Sequence, residues 1–203
     1  MSDCCGKSMN VQAMHDEQRK VLRTVLIINL ATFGMMVVAA YFSRSSSLLS
    51  GGLDNFGDAL TYALSLAVVG ASHRAQSKVA MVKGSLILAA AIAVAVQIAW
   101  RLTHPGVPIF ESMGLAALLN LVANIICLRL LTPYRCGDVN LASAWECSRN
   151  DVNEGVAVIA AAVGVGIFHA GWPDLLVASA LLLMFLRSAW RVFRSAWSGV
   201  ASA

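Results

Sequence analysis

The chain has 203 residues, of which 58% are hydrophobic and only 13% charged, and its mean hydropathy is +0.71. Soluble domains carry about 25% charged residues, so this composition excludes a water-soluble globular domain and predicts an all-α integral membrane protein. The net charge of +4 lies mostly in short connections between apolar runs, a placement suited to anionic lipid and not to nucleic acid.

Apolar runs of about 20 residues are the length of helix that crosses a hydrocarbon core. They place six transmembrane spans at 22–42, 48–72, 82–102, 111–132, 142–170 and 174–195. The reading is a single membrane domain over 22–198, with a polar tail at 1–21, a short tail at 199–203 and no room for a sizeable soluble domain.

The tail is read as helical from Val11 onward. It carries Cys4, Cys5 and Gly6, with Met9, Met14 and His15 nearby. These could capture cytosolic metal, or they could be ordinary terminal residues, since two adjacent thiols make a poor chelate alone. Span 1 is too long and apolar for a secretory h-region and stays as an anchor, with no cleavable signal peptide.

Span 2 carries Asp54 and Asp58, four residues apart in SSLLSGGLDNFGDALTYALSLAVVGAS. That spacing puts both carboxylates on one helix face, roughly 6 Å apart along the axis. Carboxylates at bilayer depth are costly, face a bundle interior and mark an ion or substrate path. A short basic loop, HRAQSKVAM, leads to span 3, which is nearly all apolar and either faces lipid or packs on alanine. The connection THPGVPIF, with two prolines and a glycine, reads as a tight irregular turn.

Asn120 and Asn124 in span 4, with Asn29 and Gln97 elsewhere, read as interhelical hydrogen-bond glue. After TPYRCGDVN, Asn140 is the expected cap of span 5. Span 5 repeats the pattern of span 2 with Cys147 and Asp151, again four apart. Glu146, three before Arg149, and Glu154, three after Asp151, read as salt-bridge or inner-vestibule residues. His169 falls near the outer end as an interfacial residue. Arg187, Arg191 and Arg194 close span 6 and snorkel to headgroups.

Lys7, Arg19, Lys20 and Arg23 precede span 1; Arg74, Lys78 and Lys83 lie between spans 2 and 3; Arg129 and Arg135 flank the next such connection. The other side offers only Arg44 and Arg101, so both termini are expected in the cytoplasm. Cys4, Cys5, Cys127 and Cys136 then face a reducing compartment, where metal binding or plain burial fits better than a disulfide framework.

This topology fixes depth. Asp58 lies about ten residues into span 2 and Asp151 about nine into span 5, so both fall near the midplane of a core about 30 Å thick. Antiparallel packing brings Asp54 level with Asp151 and Asp58 level with Cys147. Three oxygens and a sulfur suit a tetrahedral divalent ion, most naturally Zn²⁺, while the thiolate softens the site toward Cd²⁺. Hard-oxygen and octahedral preferences count against Mg²⁺ and Ca²⁺. Ligation requires Cys147 to lose a proton. With the metal gone, crowded carboxylates need another positive charge, so protons can replace the cation and metal/proton exchange becomes possible. Two plainer readings stay open: a buried ion pair with Arg149, and Cys147 as a small packing residue.

The stretch Ser47-Leu-Leu-Ser-Gly-Gly-Leu-Asp54-Asn-Phe-Gly-Asp58-Ala-Leu60 resembles the second transmembrane helix of the cation diffusion facilitator family. Cys147-Ser-Arg-Asn-Asp151-Val, followed by Gly155-Val-Ala-Val-Ile-Ala-Ala, resembles its fifth. Asn29, Trp172-Pro-Asp174 and Ser179 are also similar to family positions, and the likeness covers residues 20–198. It implies a homodimeric carrier in the cell (inner) membrane that exports a divalent cation in exchange for protons by alternating access. The metal is then cargo, with no cofactor and no enzymatic activity. Asp54, Asp58 and Asp151 fall on the family's transport-site positions, and Cys147 replaces its more usual His or Asp. Family members commonly continue into a soluble metal-binding domain. Here the chain stops at Ala203, so a dimer is expected to be held by membrane helices.

Two other classes compete. Asn150-Asp151-Val-Asn-Glu154 resembles an acidic motif of intramembrane aromatic prenyltransferases, but a second aspartate-rich loop is missing from the sequence. A membrane metal-sensing module would use the same ligands without transport.

Overall fold

The computed structural model describes the backbone of residues 11–68, 73–135 and 139–201 and most of the side chains they carry. Six helices account for nearly all of it: α1 (Val11–Ser43), α2 (Ser46–Val68), α3 (His73–Thr103), α4 (Phe110–Leu131), α5 (Val139–Phe168) and α6 (Trp172–Ala201). A 3₁₀ turn, Thr132–Tyr134, continues α4. Helices satisfy their own backbone hydrogen bonds, as a lipid environment demands. Among the described residues, Asp16–Ser43, Phe110–Tyr134 and Ala144–Phe168 are long and apolar enough to cross a membrane by composition alone. Shorter apolar stretches run over Leu88–Thr103 in α3 and Trp172–Met184 in α6. Large apolar side chains such as Ile27, Val122 and Leu176 point outward, where lipid and not water is their natural neighbour. The protein is a multi-pass, all-α membrane protein.

Helix boundaries depart from the hydropathy reading in identifiable ways. α3 starts at His73, so the basic loop expected at 73–81 is helical. Its Arg, Ala, Gln, Lys and Met are good helix formers, whereas hydropathy marks only the part of a helix that enters lipid. α6 likewise runs on to Ala201. Asn140 lies inside α5, which already includes Val139, and so does not cap it. Cys4, Cys5, Met9 and Cys136 lie outside the described residues.

Tight polar turns close two of the connections. At the end of α1, Arg44 adopts φ 56° and the Ser45 N–H donates to the Ala40 carbonyl at 3.2 Å, a left-handed helix stop more often made by glycine. Ser45 then caps α2, its hydroxyl accepting the Leu48 N–H at 3.1 Å. The N–H groups of Ser46 and Ser47 donate to the Asp174 carboxylate of α6 at 2.7 and 3.0 Å. Between α5 and α6, His169 has φ 49° and its N–H donates to Val165 at 2.9 Å. A Cβ on Gly171 would stand 2.5 Å from the Gly106 carbonyl oxygen, so only glycine lets this turn meet the α3–α4 connection.

α1 packs on α2, α4 on α5 and α3 on α6; α1 also meets α4, and α2 meets α5 and α6. Among the described residues the core has three apolar clusters, a small one around Ala91 and Val94 of α3 and two larger ones. Near the α1–α2 turn lie Met36, Leu48, Met113, Val158, Val165 and Leu181. Toward the opposite end lie Leu22, Val25, Tyr62, Cys127, Leu131 and Ala144. Between these two larger clusters sits a buried polar layer of Asn29, Asn55, Asn120, Asn124, Ser148 and Asp151. The asparagines link helices: Asn55 Nδ2 donates to Asn120 Oδ1 at 2.7 Å, joining α2 to α4, and Asn29 Nδ2 points at Cys127 Sγ at 3.8 Å. Cys127 is thus a buried packing residue with a weak polar contact.

Candidate metal centre

The polar layer exists because helical periodicity stacks polar residues on one face of each helix. On α2, Asp54, Asp58 and Tyr62 recur every fourth residue; on α5, Cys147, Asp151 and Glu154 share a face. α2 packs against α5, and these faces meet.

Asp54 makes side-chain hydrogen-bond contact with both Asp151 and Glu154, and Asp151 with Asp58. Asp151 is 5% exposed, and Asp54 and Asp58 are half-buried. The Tyr62 hydroxyl, fully buried, donates to Asp58 Oδ2 at 3.2 Å and lies 3.5 Å from Ser148 Oγ. Cys147 is a half-buried thiol outside any disulfide, and it shares Tyr62 with Asp58 and Asp151 as an electrostatic neighbour. Three carboxylates named by the sequence are therefore brought together, with Cys147 one turn along the same face of α5.

The acidic groups meet in pairs. Among the described residues, no three His, Cys, Asp or Glu side chains converge tightly enough to hold a metal ion in this conformer. Gathering them on one cation would take side-chain rotation, which the part-buried positions of Asp54 and Asp58 allow.

The buried ion pair with Arg149 is not what the structure contains. Arg149 is exposed, its guanidinium 5.3 Å from the centroid of the Trp145 ring, a cation–π contact on the outside of the bundle. Glu146 is exposed as well. Glu154 differs from its reading as a salt-bridge or inner-vestibule residue. It borders a cavity of about 10 Å³ with Asp54, Asn55, Asn120, Asn124 and Asp151, within the acidic cluster itself. Tyr62 has no counterpart in the sequence reading, although its place one turn after Asp58 was a signal.

The cation efflux transmembrane domain family matches residues 22–199. The chain is 25% identical over 173 residues to the metal cation efflux system protein CzcD of Cupriavidus metallidurans and to the cation efflux system protein CzcD of an Alcaligenes strain. Each alignment covers 78% of this chain and 54% of the relative, so the chain spans about half the length of the curated relatives it matches.

Proposed function

The chain belongs to the cation efflux family, and from that premise we propose that it is a secondary active transporter exporting Zn²⁺ or Cd²⁺ from the cytoplasm in exchange for protons. The observation that carries the reading is the contact of Asp54, Asp58 and Asp151 across α2 and α5. It lies in a polar layer between two apolar clusters.

In this reading Asp54, Asp58, Cys147 and Asp151 are the transport ligands. Carboxylates crowded together in a polar layer between apolar clusters attract either a divalent metal or protons, and that competition couples the two fluxes. Tyr62 orients Asp58 through its hydroxyl. The apolar clusters act as gates: opening one exposes the polar layer to one side while the other stays dry. The six helices cross the inner membrane with both ends cytoplasmic, and residues 22–198 form the transport domain. Two copies associate through membrane helices. The metal is cargo, no cofactor is needed, and the protein is a carrier and not an enzyme.

The test is flux of Zn²⁺ and Cd²⁺ in proteoliposomes under an opposing proton gradient. Wild type accumulates metal only while the gradient lasts, and Asp58→Ala does not. Equal flux in both proteins would remove Asp58 from the transport site. Tight metal binding without flux would favour a sensing module.

A further inference from the structure

We infer that Asn124 and Glu154 form a second, all-oxygen cation station beside the transport site, sharing Asp54 and Asp151 with it and lying toward the α1–α2 turn. The inference rests on the transport role proposed for the acidic cluster and names a further step of the cargo's path.

Geometry places the station. Glu154 follows Asp151 by one turn, roughly 4.5 Å farther along α5, and Asp54 lies roughly 6 Å from Asp58 in the same direction along α2. The two side chains meet there in hydrogen-bond contact. Asn124, on α4, closes the third side. It is only 2% exposed and uses its Nδ2 on the Asp151 carbonyl at a long 3.5 Å.

Among the described residues that line this place, none carries a positive charge. Asn124 Oδ1 and Glu154 Oε2 are both buried without a hydrogen-bond partner among the described residues. Both residues line the same cavity of about 10 Å³ as Asp54 and Asp151, a volume close to that of one water-sized occupant. The nearby amide donor of Asn55 is already committed to Asn120 Oδ1 at 2.7 Å. Three carboxyl groups and an orphaned amide oxygen thus surround a space with a surplus of acceptors, and a cation satisfies them together. In this conformer the acidic side chains do not converge on a single point, so the ion would gather them as it enters.

Ligand chemistry then separates the two levels. The transport cage includes the Cys147 sulfur and suits soft ions; the station offers oxygen alone and suits harder divalent ions such as Mn²⁺. A soft cargo moving from the first to the second exchanges a thiolate for weaker oxygen ligands, which favours its release toward that end.

The experiment measures Mn²⁺ and Cd²⁺ binding to the purified full chain in detergent, with flux in proteoliposomes alongside. Glu154→Gln is expected to weaken Mn²⁺ binding by about tenfold or more, the size typical of a lost metal-site partner, and to weaken Cd²⁺ far less. Asn124→Asp, similar in shape but negatively charged, is expected to tighten Mn²⁺ binding. Equal effects of Glu154→Gln on both ions, or none, would overturn the station, as would a wild type that does not bind Mn²⁺. If Glu154→Gln does not yield a monodisperse protein, Asn124→Asp decides: unchanged or weaker Mn²⁺ binding rejects the station. Wild-type Cd²⁺ flux in Asp58→Ala would instead reject the transport site proposed for the acidic cluster, whatever Mn²⁺ does.

Discussion

The Ser45 hydroxyl donates to Asp174 Oδ1 at 2.6 Å and fastens the start of α2 to the first turn of α6. Ser47 Oγ donates to the same oxygen at 2.6 Å, and two backbone N–H groups of α2 complete the ring around the carboxylate. Asp174 is fully buried, with its charge at the N-terminal ends of two helices, where backbone dipoles favour an anion. α2, the helix that carries Asp54 and Asp58, is therefore held at its end by a residue of α6.

Asp174→Ala is expected to lower stability by about 3 kcal/mol or more, because it strips acceptors from two hydroxyls and two amides in a dry site. Asp174→Asn retains one acceptor oxygen and should lose less. Thermal unfolding of the detergent-purified variants checks both the size and the order of the losses. A melting temperature equal to wild type for Asp174→Ala would show that the contact does not hold α2 in place.

Much of the acidic cluster was legible because charge inside an apolar helix is rare and the helical period is strict. Asp54 and Asp58, then Cys147 and Asp151, stand out by spacing alone, and span depth put Asp54 opposite Asp151, where the two are in contact. Rotation of α5 about its axis was not legible. It depends on how small residues let helices approach, as at Gly155, where an added Cβ would lie 3.2 Å from Leu121 Cδ1. That rotation turns Glu154 into the cluster and Arg149 out of the bundle. Tyr62 was hidden for a different reason: a tyrosine in an apolar run looks like ordinary core until its hydroxyl is seen to reach Asp58. The start of α3 was missed because hydropathy reports membrane depth and not helicity.

Tyr62→Phe isolates that hydroxyl. The ring fills the same buried space, so stability should change by about 1 kcal/mol or less, the net worth of one hydrogen bond. Asp58 loses the donor that orients it, and the KM for metal should rise by about tenfold, within the range seen when a partner of a metal ligand is removed. Initial rates against metal concentration in proteoliposomes measure this. An unchanged KM would leave Tyr62 as a packing residue of the apolar cluster around Leu22 and Leu131.

Asn55→Leu tests the polar layer apart from its charges. Asn55 donates to Asn120 Oδ1 at 2.7 Å in a buried setting, and leucine of similar size leaves that oxygen without its partner. A loss of about 1–3 kcal/mol is expected in thermal unfolding. The double variant Asn55→Leu with Asn120→Leu should recover part of it, since removing both partners leaves no orphan. Additive losses would mean that the two asparagines do not act as a pair.

Cys147→His bears on which ion the cage prefers. Imidazole suits Zn²⁺ as well as thiolate does, but thiolate is the softer ligand and selects Cd²⁺. Replacing sulfur by nitrogen one turn from Asp151 should lower the ratio of Cd²⁺ to Zn²⁺ flux by about tenfold, a change of roughly 1.4 kcal/mol in relative affinity. Both ions are measured in the same proteoliposomes, so differences in protein content cancel. Cys147→Ala provides the contrast, since it removes the ligand without replacing it and should depress both fluxes. If the ratio stays at the wild-type value in Cys147→His while Asp58→Ala abolishes flux, the thiol is a bystander. The carboxylates alone would then hold the cargo.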